Sequence, residues 1–114
     1  MPVFKALTAA LAPGASTTLF WSPRAEERFT LVKVRAIELT GASLKLVQTT
    51  FRIDETWFVK ESVSLDHFSL AWDQLPEIKG DLPANATFYI SLTNNDTVEK
   101  KIEVCLWLEP VAAR

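Results

Sequence analysis

One cysteine, one histidine and three glycines are spread over the 114 residues, and each scarcity removes a class of explanation. A lone Cys105 cannot close an internal disulfide, so the fold must stand on its core, which favours a reducing compartment or a particle assembled inside a cell. His67 and Cys105 are too few for a zinc site. The acids Asp54, Glu55, Asp73, Glu77 and Asp81 lack the dense ligand spacing of a calcium loop. No glycine-rich phosphate loop is present either, so the sequence implies no cofactor and no metal. His67 follows Asp66 and lies near Ser64 and Ser69, but adjacent residues on a strand point to opposite faces and no nucleophile-elbow glycine motif accompanies them. The reading is not an enzyme.

Charge of one sign is also lacking. Twelve Lys and Arg against fourteen Asp and Glu give a net charge of −2, without the clustered cations that sequence-independent nucleic-acid binding requires. No apolar run approaches the roughly 20 residues of a membrane span. The opening MPVFKALTAALAPGAS has a short apolar core broken by Thr8, and it reads as part of a soluble, unprocessed domain, not a leader. The sequons Asn85-Ala86-Thr87 and Asn95-Asp96-Thr97 are read as coincidence, since nothing else points to secretion.

What the chain does have is alternation. Phe88, Ile90 and Leu92 alternate with Tyr89, Ser91 and Thr93. After Asn94-Asn95-Asp96 the pattern resumes as Ile102, Val104, Leu106 and Leu108 against Glu103, Cys105, Trp107 and Glu109. This is a two-strand ribbon signature with one apolar face and one face carrying Tyr89, Cys105 and Trp107. Upstream, strands are expected at Val3 to Leu11, Ser16 to Trp21, Phe29 to Leu39, Leu44 to Ile53 with a bulge near Val47, and from Trp57 to Leu65. Pro and Gly turns separate the first of these. Ser64 to Leu75 satisfies two periods at once, and is read as a short strand or turn-rich segment, with a single helical turn as the alternative. Pro76 to Pro83, with two prolines and a glycine, reads as a loop. Seven to eight short strands in 114 residues form a single all-β domain, an antiparallel two-sheet sandwich. Residues 1 to 11 serve as an edge strand or an exchanging arm.

The run from Ala12-Pro13-Gly14-Ala15 through Ser22-Pro23 into Phe29 to Leu39, and the close from Leu82-Pro83-Ala84 through Phe88 to Asn94 and Lys101 to Leu108, resemble the small jelly-roll virion proteins of tailed phages. The resemblance is one of strand rhythm and spans most of the chain. It implies a jelly-roll type sandwich and a head decoration, fibre or similar accessory subunit of a virion, assembled in the host cytoplasm. Such a subunit works as a symmetric homo-oligomer, a trimer in the first instance, on a larger protein assembly such as a capsid. Tyr89, Cys105 and Trp107 are then the interface candidates, because Trp and Tyr are enriched where proteins meet. The other reading of that face is cover by another strand, the N-terminal arm or the Ser64 to Pro83 segment. The alternative function is a carbohydrate-binding module whose exposed Trp and Tyr stack on a glycan.

Overall fold

The computed structural model describes residues 2–111. Eight strands follow in order: β1 (Val3–Leu11), β2 (Ser16–Trp21), β3 (Arg28–Glu38), β4 (Val47–Ile53), β5 (Thr56–Ser64), β6 (Gly80–Pro83), β7 (Phe88–Asn94) and β8 (Lys100–Pro110). They form two antiparallel four-stranded sheets, ordered β1-β8-β3-β6 and β2-β7-β4-β5. Every connection except the β4–β5 hairpin passes from one sheet to the other, which is the jelly-roll arrangement.

The alternating residues of the two inner faces make the core. Phe29, Leu31, Leu82, Ile102, Val104, Leu106 and Leu108 come from the first sheet, and Val47, Phe51, Ile53, Phe88, Ile90 and Leu92 from the second. All are buried. Gly80 belongs to this core for a steric reason: a Cβ there would lie 2.8 Å from both the Ile53 and the Phe58 side chains.

Two expectations about how the strands connect are corrected. β7 and β8 are not a ribbon, because they lie in different sheets and residues 95–99 form an arch between them. The arch is held by polar groups at inward positions. Buried Asn94 donates from Nδ2 to the Leu11 carbonyl at 3.0 Å and to the Val98 carbonyl at 2.9 Å, and its Oδ1 accepts from Asp96 N–H at 3.0 Å. Lys100, also buried, reaches Asp96 Oδ2 at 2.8 Å. Second, Pro76 to Pro83 is not all loop, since its last four residues pair with β3 as β6. Proline is admissible there because it ends a short edge strand. Between Ser64 and Leu75 the turn-rich reading is the one realised, not the strand. The segment makes two single turns of 3-10 helix, Leu65–Phe68 and Trp72–Gln74.

β4 begins at Val47, not at Leu44, and its irregularities fall against β5, between Thr49 and Arg52. A further bulge, between Leu31 and Lys33 of β3, shifts the phase of that strand against β8. Before it Leu31 faces the core; after it Val34 and Ala36 do, and Lys33 is turned outward beside Trp107. A bulge re-aims side chains in just this way.

Candidate functional site

The outer faces of the two sheets differ in what covers them. On the β1-β8-β3-β6 sheet, Phe4, Trp107 and Lys33 lie in one cross-strand row. The chain between β5 and β6 folds across that row. Leu65 and Phe68 are first buried at the core, with Phe68 edge-on to Phe51 at 5.3 Å. The segment then brings Trp72 perpendicular to Trp107 at a centroid distance of 5.9 Å and within 5.5 Å of Phe4.

Main-chain bonds fix this cover. Lys33 Nζ donates to the Trp72 carbonyl at 2.6 Å, Arg35 Nε to the Leu70 carbonyl at 2.9 Å, and Ile78 N–H to the Val32 carbonyl in the bulge at 2.7 Å. Lys33 Nζ also sits 5.7 Å from the centre of the Trp107 ring, and Trp107 Nε1 donates to Glu109 Oε1. The bulge therefore has a local task, which is to turn one cation toward a carbonyl of the covering segment.

Among the described residues, nothing covers the outer face of the β2-β7-β4-β5 sheet in this way. Phe20, Tyr89, Arg52 and Trp57 are register partners across all four strands. They form a row in which the Arg52 guanidinium stacks 4.0 Å from the Tyr89 ring centre and 5.5 Å from that of Trp57. Arg52 also donates to the Asp54 carbonyl of the hairpin, which anchors the guanidinium beside the two rings. Phe20 is 67% exposed and Trp57 45%. Beside the row the same face is hydroxylic, with Ser16 paired to Thr93 at 2.9 Å and Thr18 to Ser91 at 3.3 Å. Such a face can stack on planar or apolar surfaces and offer hydroxyls around them.

Of the three interface candidates, then, the structure does not bring Tyr89 together with Cys105 and Trp107. They stand on opposite outer faces of the sandwich. Trp107 is half-buried beneath Trp72 and Phe4 of its own chain. Cys105 is half-buried between Ala6 and Arg35, where burial and then Glu103 push its thiol pKa up, against a smaller opposing pull from Arg35. Only Tyr89 lies on the open face. Phe20, Arg52 and Trp57 were not singled out as its neighbours, although their outward phase in the alternation was there to be read.

His67 is exposed on the first 3-10 turn. Its neighbours are engaged locally: Ser69 Oγ donates to the Asp66 carbonyl at 2.7 Å and Ser64 Oγ to the Lys45 carbonyl at 2.8 Å. Among the described residues no three His, Cys, Asp or Glu side chains gather as metal ligands. Compared with family models, curated proteins and solved structures, the chain has no significant match.

Proposed function

We propose that this chain is a non-enzymatic jelly-roll subunit of a larger assembly, such as a virion accessory protein, acting as a symmetric homo-oligomer through the outer face of the β2-β7-β4-β5 sheet. The observation that carries the reading is the open row Phe20-Tyr89-Arg52-Trp57. A large exposed aromatic surface on an otherwise well-packed sandwich marks a site of association, and Trp, Tyr and Arg are the residues that dominate such contacts. On the other outer face, Trp107 is taken up by the chain's own covering segment.

The test is the solution mass of the wild-type chain by light scattering across a dilution series, repeated with Phe20→Ser/Trp57→Ser. The reading expects an oligomer whose mass falls in the variant while its thermal midpoint is kept. A wild-type monomer, or an oligomer of unchanged mass in the variant, would sink it. The same row, ringed by hydroxyl side chains, favours a second reading, a carbohydrate-binding face that stacks on pyranose rings. That reading expects a monomer whose tryptophan fluorescence is quenched by a member of a glycan panel, and no quenching in Trp57→Ser.

A further inference from the structure

Two open sheets leave four edge strands, and two of them carry the usual guards against pairing with another chain. β6 is four residues long and ends in Pro83. β5 breaks register twice along β4. β2 keeps its register but offers only six residues. Short, bulged or proline-ended edges are how sandwiches avoid edge-to-edge association. β1 has none of these features. It runs nine residues in unbroken register with β8, from Val3 opposite Leu108 to Leu11 opposite Lys100, without proline or glycine. It leaves Val3 41% and Phe4 53% exposed. Its single charged residue, Lys5, stands in the inward phase opposite Leu106 and is the one guard the strand carries.

From this contrast we infer that β1 is a self-complementary contact, through which two copies of the chain pair antiparallel about a two-fold axis at Leu7. The two β1-β8-β3-β6 sheets then become one eight-stranded sheet. The register follows from the length of the strand. Only a pairing centred on Leu7 uses all nine residues, and it sets Val3 opposite Leu11, Phe4 opposite Ala10, Lys5 opposite Ala9 and Ala6 opposite Thr8. Partners share parity, so every inward side chain stays inward.

Size and charge fit this register. Lys5 meets Ala9 and not its own copy. Phe4, the largest side chain of the strand, meets Ala10, and the sheet surface beside Ala10 is hollow. Thr8, Ala9, Ala10, Leu39, Lys101 and Ile102 line a depression of about 230 Å³, with Leu39 itself 53% exposed at its rim. The exposed half of the Phe4 ring of one copy lies against that hollow in the other, and the two-fold repeats the contact. The pairing adds about eight to ten main-chain hydrogen bonds. As an isologous contact it closes at two copies. It goes beyond the face reading above and uses none of its residues.

The test uses the full chain. In a Cys105→Ser background, chains carrying Ala6→Cys and Thr8→Cys are mixed under mild oxidant. The mixed disulfide should form in preference to either like pair, because residues 6 and 8 are directly opposite whereas like pairs are diagonal. Ala6→Lys/Thr8→Lys changes two exposed positions and places lysines opposite one another. It should weaken the dimer at least tenfold without lowering the thermal midpoint of the monomer. Phe20→Ser/Trp57→Ser chains should still form this dimer, so the face reading and the edge pairing fail separately. Like cross-links as fast as mixed ones, a mass indifferent to the two lysines, or a monomer whose β1 takes up only an unrelated extended peptide would each overturn the pairing.

Discussion

On the outside of one sheet Trp107 lies under Trp72, with Lys33 and Arg35 donating to carbonyls of the segment that brings Trp72 there. On the outside of the other, Tyr89 lies beside Arg52, with Phe20 and Trp57 open to water. The residue types are nearly the same, aromatic rings with cations over them, yet the first set is a structural joint and the second is a surface. The difference lies in where the cation's hydrogen bonds go. Lys33 and Arg35 donate to a distant stretch of chain and so fasten a cover. Arg52, among the described residues, donates to the hairpin two residues on and fastens no distant segment. Ring composition alone does not separate a core from a contact surface; the partners of the accompanying cations do.

Changes on the covered face should cost stability and changes on the open face should not. The largest effect is expected for Trp107→Ala, which removes the ring that Phe4 and Trp72 pack on and should lower unfolding stability by about 3 kcal/mol in a urea titration. A loss below a few tenths would mean that the cover does not pack as described. Lys33→Met keeps the stem but leaves the Trp72 carbonyl without its charged donor, at a cost of about 1.5 kcal/mol. Near-ultraviolet circular dichroism should show the Trp72–Trp107 pair loosening, with the remaining strands intact.

Acid acts on the same sheet at its β3–β4 end. Burial raises the Glu38 carboxyl, but the Thr40 hydroxyl and the N–H groups of Lys101, Ala42 and Thr40 donate to it and together bring its pKa down to about 2. A carboxylate lowered on folding stabilises above its ordinary pKa of 4.5, and that stability is lost as pH falls from there toward 2. The Asp96 carboxyl is also lowered, chiefly by the Lys100 hydrogen bond, and loses its contribution in the same direction. Glu38→Gln should be about 1 kcal/mol less stable at neutral pH and show a flatter acid limb. An unchanged limb would place the acid sensitivity elsewhere. The smallest effect is expected on the open face, where Phe20→Ser/Trp57→Ser, compared with the wild type in solution dilute enough for both to be dissociated, should shift unfolding stability by no more than about 0.5 kcal/mol. A larger loss would make that row structural and erase the contrast.

Much of the fold was legible because a strand's period of two assigns each residue to a face. The inward sets Phe88-Ile90-Leu92 and Ile102-Val104-Leu106-Leu108 are the core as read. What alternation does not carry is which strand lies beside which, so β7 and β8 looked like a ribbon when they are the two banks of an arch. A signal was present in the inward phase itself. It continues onto Asn94 and Lys100, polar groups that a core accepts only where partners wait, and here those are the Leu11 and Val98 carbonyls and Asp96. The β3 bulge was also visible, as the slip from Phe29 and Leu31 to Val34 and Ala36, but it reads equally as a strand buried on both faces. The cover over Trp107 was not legible, because the contact with Trp72 joins residues 35 apart through a segment with two competing periods.

That one aromatic face is closed by the chain itself and the other is open to solvent is directly measurable. Hydroxyl-radical footprinting of the wild-type protein, read residue by residue across a concentration series, tests it most directly. Trp72 and Trp107 should be modified slowly at every concentration, while Phe20 and Trp57, if the proposed association forms, should be modified rapidly in dilute solution and become protected as the protein is concentrated. Rapid modification of Trp107 would contradict the closed face, and a rate at Phe20 and Trp57 that ignores concentration would contradict the proposed association.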